Sequence, residues 1–323
     1  MDTRRALLDA LTDGPVSGPA LAAELGVSRA AVWKAVESLR AEGFAVESTG
    51  SGYVPPEDPP YGAAGIEFGL AAPYTVEYHD ALGSTNDRAR ELAAGGESDV
   101  AVVADEQTGG RGRLDREWTA PSGGVWVSVL TAPTIPTAHA PVCTLAAAVA
   151  TTDACREVGV DARIKWPNDV LVGTSTEESG APDAHGRGGE KLAGILTEME
   201  GEADRVSWLV VGVGVNANVD AEELPEGATS LRALRGEPVD RRRLLQRLLE
   251  RYHELTASPD AIVPAWRERA ATIGATVRID TPDGEVRGTA VDVEFPGRLV
   301  VDTGEERVRV HAGDCEHLRP ASE

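Results

Sequence analysis

Of the 31 basic residues in this chain only three are lysine, and two of those stand in its sharpest motifs: Lys165 in Lys165-Trp166-Pro167-Asn168-Asp169 and Lys191 in Lys191-Leu192-Ala193-Gly194. A lysine is ordinarily a solvated surface charge. A chain that uses arginine almost everywhere else for that purpose keeps these two ammonium groups for chemistry, as compact point charges suited to carboxylate or phosphate oxygens. A third concentration of charge is the segment Gln107-Thr108-Gly109-Gly110-Arg111-Gly112-Arg113-Leu114-Asp115-Arg116-Glu117-Trp118. Its glycines let backbone N–H groups approach an anion, and its alternating arginines supply planar cations able to hold carboxylate and phosphate together. Ser84-Thr85-Asn86-Asp87 offers hydroxyls and an amide to a polar ligand head, and the same four residues suit a helix N-cap. Gly212-Val213-Gly214-Val215-Asn216 ends a buried strand in a bend that leaves the Asn216 amide free for a heterocycle. No further Gly-x-x-Gly and helix follow it, so a dinucleotide fingerprint is excluded, and no Walker sequence, nucleophile elbow or His-Glu-x-x-His occurs.

These residues need elements to position them. Leu7, Leu8 and Leu11 give one helical face, Pro19 to Leu25 a second helix, and Ser28 to Glu42 a third that Ser28 caps and Gly43 closes. Two short strands around a glycine turn follow, from Phe44 to Val54, which completes the winged helix-turn-helix plan over residues 1–55. A Pro/Gly-rich linker is expected over 56–73. From 74 to 271 apolar strands mix with alanine-rich helices, the pattern of an α+β domain with a mixed sheet. Residues 272–323 alternate in short strands with glycine turns and suit a small β-barrel of SH3 type. The polar stretch Gly173 to Gly189 cannot bury a core and reads as a mobile loop, with His185 a bystander.

Composition narrows the class. The formal net charge is −22, with acid spread along the whole chain, which fits a solvated surface suited to very high intracellular salt, a halophilic pattern. Cys143, Cys155 and Cys315 are odd in number and widely spaced, so neither a disulfide framework nor a zinc site is indicated and a reducing cytoplasm is expected. Neither a signal peptide nor a membrane span is apparent.

Taken in order, Ser84-Thr85-Asn86, the Gly110 to Arg113 loop ending at Trp118, Lys165-Trp166-Pro167-Asn168-Asp169, Lys191 to Leu196 and Gly212 to Asn216 resemble the biotin-protein ligases. With a winged helix in front and a small barrel behind, the chain is similar to their bifunctional class, both ligase and biotin-responsive repressor. The resemblance implies a central domain like that of class II synthetases and an ATP- and Mg2+-dependent activation of biotin to biotinyl-5'-AMP. The biotinyl group then passes to a lysine of a biotin carboxyl carrier protein. Residue by residue, it implies that Ser84, Thr85, Asn86 and Gln107 meet the ureido ring. Arg111, Gly112 and Arg113 would close over the carboxylate and the adenylate phosphate, with Arg116 and Trp118 beside the nucleotide. Lys165 would hold the carboxylate and α-phosphate together, Lys191 would assist at the phosphates, and Asn216 would read adenine. The metal ligands are not implied by any motif. The chain has Leu114-Asp115 where the family's loop often has Arg-Gly, which removes one cation and one flexible hinge. A lipoate-protein ligase and a biotin-sensing regulator with little ligase activity remain alternatives.

For the winged helix, operator DNA is the expected partner, through Ser28, Arg29 and Lys34 of the third helix. Residues 1–60 nevertheless carry five basic side chains against nine acidic ones, a balance of −4 where a basic footprint is usual. A C2 homodimer is the default assembly.

Overall fold

Leucines spaced along one face of each amphipathic segment, with serine before two of them, set the first helices of the computed structural model, which describes residues 3–173, 188–202 and 204–318. The chain divides into two units, Met1–His79 and Asp80–Glu323.

In the first unit α1 (Thr3–Leu11), α2 (Gly18–Glu24) and α3 (Arg29–Ala41) precede an antiparallel hairpin of β1 (Glu47–Thr49) and β2 (Gly52–Val54). Ser17 caps α2 and Ser28 caps α3, where the Ala31 N–H donates to the Ser28 hydroxyl at 3.1 Å. Each satisfies one of the N–H groups a helix start leaves without a partner. Leu7, Leu8, Leu11, Leu21, Val36 and Leu39 are fully buried and share one core with Phe44. Gly26 turns the corner between α2 and α3 at φ +65°, a left-handed conformation that favours glycine.

The stretch expected to be a linker is packed instead. It contains α4 (Ala63–Glu67), and Ile66, Leu70 and Ala72 are buried. A Cβ on Gly65 would stand 1.9 Å from the Pro60 carbonyl oxygen, so this approach of backbone to backbone requires glycine. Glycine, alanine and proline read as linker composition, yet here small size is what lets the segment lie against its own core.

The second unit contributes six full strands to a seven-stranded mixed sheet, ordered β3 (Thr75–Leu82, which spans the division at His79), β4 (Val100–Gln107), β5 (Val125–Thr131), β9 (Arg205–Val215), β8 (Glu190–Glu202), β7 (Asp169–Val172) and β6 (Arg163–Lys165). From β4 to β6 every neighbour runs antiparallel. Helix α5 (Thr85–Ala94) packs on β4, β5 and β9, whereas α6 (Pro141–Glu157) packs on β8 and β9 and on two later helices. The middle of α6 is rich in small residues, and twelve of its seventeen side chains are buried, so most of the helix is internal and only its end residues are exposed. Helices α7 (Leu231–Arg235), α8 (Arg241–Ala257) and α9 (Ile262–Arg269) follow. The unit closes on a five-stranded antiparallel sheet, β13-β12-β11-β10-β14, made of β10 (Thr276–Thr281), β11 (Gly284–Glu294), β12 (Arg298–Asp302), β13 (Arg307–Val310) and β14 (Asp314–His317). Most of the polar stretch after Gly173, including His185, lies outside the described residues.

All three cysteines are buried. Burial in apolar surroundings pushes the Cys143 thiol up to about 11 and those of Cys155 and Cys315 to about 12. Iodoacetamide at pH 8 should therefore leave the folded chain unmodified for times in which the urea-unfolded chain takes up three labels, as read by intact mass. Three labels on the folded chain at the unfolded rate would show the thiols to be accessible.

Candidate active site

A cavity of about 860 Å3 opens in the second unit, and eleven of the twelve ligand-binding residues expected there line it. The polar cluster occupies the start of α5. Ser84 is the N-cap, accepting from the Asp87 N–H at 3.4 Å, and it also lines the cavity. Gln107, at the end of β4, accepts from the Thr85 N–H at 2.8 Å and from its hydroxyl at 3.0 Å. The side chain thus fills a donor left open by the helix start and fixes the threonine as well. The Ser128 hydroxyl on β5 lies 2.7 Å from Thr85 Oγ1 and 2.6 Å from Asn86 Oδ1, and Asn86 Nδ2 donates to Glu198 Oε2 on β8 at 2.7 Å. Thr85 and Asn86 are therefore buried, fixed groups and not solvated ends.

The glycines of the third strand motif have separate tasks. A Cβ on Gly212 would come within 2.2 Å of Asn86 Oδ1, and one on Gly214 within 2.8 Å of Trp118 Nε1. A Cβ on Gly194 of the Lys191 motif would come within 3.0 Å of the ring edge of the same indole. Two adjacent strands are thus stripped of side chains where an amide and an indole must lie flat on them. Trp118 also meets Trp126 edge to face, with centroids 6.3 Å apart, and Lys191 Nζ sits 5.1 Å from its ring centroid, within range of a cation–π contact.

The cationic side chains arrive from three directions. Lys165 ends β6 and is buried at 8% exposure on the cavity wall. The turn that follows it is clamped: the Trp166 indole N–H donates to the Gly297 carbonyl at 2.9 Å, and Asn168 exchanges hydrogen bonds with Ile195. Lys191 pairs with Asp169 at 2.7 Å. The glycine-arginine loop folds back on itself through Gly112 N–H to Arg116 C=O and Trp118 N–H to Gly110 C=O. Arg111 pairs with Asp87, Arg116 with Asp314, and Arg113 donates to two neutral oxygens, Asn168 Oδ1 at 3.1 Å and the Gly313 carbonyl at 2.9 Å. Burial pulls the Arg113 guanidinium below the usual arginine range, against the nearby carboxylates of Asp314 and Asp169. Leu114 takes the left-handed conformation, φ +56°, and is 74% exposed.

Asn216 is the one expected ligand-binding residue that does not line the cavity. Its Nδ2 donates to the Thr229 carbonyl at 2.9 Å and the side chain, 2% exposed, is absent from the cavity wall, because the segment leading into α7 folds back over the end of β9. Its amide is committed inside the protein; only Oδ1 has no hydrogen-bond partner. Sequence reasoning missed Ser128, Glu198 and strand β14, from which Asp314 to His317 complete the wall. Ser128 was detectable as a lone hydroxyl in the apolar run Val125 to Leu130. Nothing in the spacing marks Glu198, and β14 was not singled out as a strand.

In the first unit Ser28 caps α3, and Arg29 and Lys34 are exposed on that helix. Arg4, Arg5 and Arg40 are engaged elsewhere: Arg4 with Glu42 and Glu67, Arg5 with the Leu70 carbonyl, and Arg40 with Glu37 and the Val46 carbonyl. Trp33, 58% exposed, stands between Arg29 and Lys34 in a helix whose buried face is Val32, Val36 and Leu39.

Comparison with known proteins gives one consistent result. The model of the biotin/lipoate A/B protein ligase family matches residues 81–216, an HTH domain matches 3–54, and the biotin protein ligase C terminal domain matches 272–318. The bifunctional ligase/repressor BirA of Bacillus subtilis is 36% identical over 318 residues, 93% of either chain. The biotin--[acetyl-CoA-carboxylase] ligase of Mycobacterium tuberculosis is 35% identical over 254 residues, covering 73% of this chain and 86% of that one. Among solved structures, the biotin protein ligase from Aquifex aeolicus in complex with biotin and ATP superposes with a TM-score of 0.62 at 25% identity, over 75% of this chain and 98% of its own.

The contact of Trp118 with Gly214 sets a stability test. Gly214→Ala places a methyl group where the indole lies and should lower the unfolding free energy by about 1–3 kcal/mol, the usual cost of overpacking. Urea denaturation should show the midpoint falling with an unchanged slope. An unchanged midpoint would mean that the indole does not rest there in solution.

Proposed function

Because the chain belongs to the biotin protein ligases, in their bifunctional ligase/repressor form, we infer that it activates biotin with ATP and ligates it to a carrier protein, and that its helix-turn-helix unit represses transcription. The observation that carries the ligase reading is one cavity with a fixed hydroxyl-amide cluster on α5 and five cationic side chains around it. A urea ring with one carbonyl and two N–H groups needs donors and acceptors in fixed places, which Ser84, Thr85, Asn86 and Gln107 supply. A carboxylate joining the α-phosphorus of ATP brings two anions together, so the barrier falls where preorganised cations offset their repulsion.

In this reading Lys165, buried and aimed from the end of β6, holds the biotin carboxylate and the α-phosphate. The carboxylate oxygen bonds to phosphorus, pyrophosphate leaves, and Arg111, Gly112 and Arg113 close over the mixed anhydride. Closure excludes water from a hydrolysable bond until the amine of a carrier lysine attacks the carbonyl carbon and AMP departs. Lys191, Arg116 and Trp118 flank the nucleotide. Asn216 shapes the wall from behind, since its amide is held by Thr229. Magnesium would neutralise charge on the departing pyrophosphate. The described residues contain no cluster of three acidic, histidine or cysteine side chains to cage a metal, which suits an ion that enters with the nucleotide and keeps most of its waters.

The domain plan that fits this activity is a DNA-binding winged helix over 1–55, a joining segment to 73, a catalytic domain to 271 and a C-terminal domain to 323. No helix among the described residues is long and apolar enough to cross a membrane. A cytoplasmic protein adapted to high salt accords with the −22 charge and the three free thiols. As repressor it would act as a homodimer, with two α3 helices about 34 Å apart on operator DNA.

Lys165→Ala should lower biotin-dependent ATP–pyrophosphate exchange at least a hundredfold with folding intact. Exchange within about threefold of wild type, under about 0.7 kcal/mol of barrier, would remove Lys165 from that role. On the regulatory side, each of Arg29→Ala and Lys34→Ala should reduce the slope of log K against log salt for operator DNA by about 0.9, one phosphate contact apiece. Slopes unchanged in both variants would place the DNA-binding face elsewhere.

A further inference from the structure

The ring-binding amide of Asn86 has a partner that no motif includes. Its Nδ2 donates to Glu198 Oε2 at 2.7 Å, and the same carboxylate lies 3.5 Å from Arg90 of α5 through its other oxygen. On the opposite edge, Asn86 Oδ1 lies 2.6 Å from the Ser128 hydroxyl. A primary amide can occupy its site in two orientations, with nitrogen and oxygen exchanged, and a hydroxyl tolerates both because it donates as well as accepts. A carboxylate does not. Turned the other way, Asn86 would bring its carbonyl oxygen against Glu198, two acceptors with no proton between them in a site where the amide is 5% exposed.

Gly212 completes the constraint. The amide lies where a Cβ on that residue would stand, so the plane of the group is set by the strand beneath it while its sense of rotation is set by Glu198. Glu198 itself pairs in register with Val210 of β9, and its side chain remains 27% exposed, so it is not a core residue whose loss would collapse the sheet.

We propose that Glu198 is a positioning residue for substrate selectivity: by accepting from Asn86 it determines whether the cavity presents a donor or an acceptor to the ring, and so matches the site to a cyclic urea. The inference rests on the biotin reading given above. It separates recognition of the ring from activation of the carboxylate, which belongs to Lys165 and the loop. Its signature is therefore a change in ring affinity and ring selectivity without a change in nucleotide use.

The test uses the full-length chain in ATP–pyrophosphate exchange with biotin and with 2-iminobiotin, whose ring carries an imine N–H in place of the carbonyl. Glu198→Ala should raise KM for biotin at least tenfold and reduce the preference for biotin over 2-iminobiotin at least tenfold, with KM for ATP and kcat within about threefold of wild type. Glu198→Gln, which keeps a carbonyl oxygen able to accept from Asn86, should restore the biotin KM to within about threefold. An unchanged preference in Glu198→Ala, a parallel loss in kcat and in both KM values, or a glutamine variant as impaired as the alanine one would each overturn the assignment. Wild-type exchange that does not depend on biotin would bring down the ligase reading itself, and this inference with it, a pattern distinct from the other three.

Discussion

Positive charges gathered around one cavity repel one another, and the second unit is organised so that they can be held there before any anion arrives. Two unit charges about 4 Å apart repel by roughly 1 kcal/mol in water and 4 kcal/mol near a protein surface. Each of three cations therefore has a carboxylate from a different element: Asp87 of α5 for Arg111, Asp169 of β7 for Lys191, Asp314 of β14 for Arg116. Arg113 is placed differently, between an amide oxygen and a backbone carbonyl, so its charge is oriented and not cancelled. The sheet order, the turn after Lys165 and the folding-back of the loop all bring these pairs within reach. An entering anion meets cations already placed, and it completes their neutralisation instead of assembling them.

How much of this was legible depended on whether a residue's task left a trace in its neighbours. Lys165 and Lys191 stood out because lysine is scarce, whereas the tight packing over the glycines at 194, 212 and 214 became visible only in the structure. The winged helix was legible from leucine spacing and the Ser28 cap. Strand β14 was not, since Asp314 and Glu316 follow no apolar alternation that exposes a period of two, and its pairing with β10 is decided by tertiary contact. Helix α4 was hidden by glycine and alanine, which are as common in tethers as in tight packing. The placement of Asn216 was not legible, because a motif-ending amide looks free until Thr229, thirteen residues later, folds back to it. Glu198 could not be found at all: one carboxylate in a long strand has no spacing to betray it.

Arginine is the other theme of the chain. Arg247 meets Glu157 and Arg267 meets Asp292 through two parallel N–H donations, a geometry that lysine cannot make. Individually, such exposed pairs contribute little. Their effect is on side-chain order, because a planar fork with two partners has fewer ways to move. In the first unit the same preference removes cations from circulation: with Arg4, Arg5 and Arg40 tied down, the exposed face of α3 presents Arg29 and Lys34 with the Trp33 indole between them. Apolar contact with base edges is insensitive to salt, whereas phosphate contacts weaken as salt rises.

The hold that Gly313 and Asp314 keep on the glycine-arginine loop has a consequence in time. Synthesis runs from the amino end, so the hydroxyl-amide cluster, both lysines and the whole seven-stranded sheet leave the ribosome before the residues that anchor Arg113 and Arg116 exist. A nascent chain can fold the floor of its cavity while the loop above is still untethered. The loop is fixed by contacts that span about 200 positions of chain, so it takes its place only after the cavity floor and β14 have both been made.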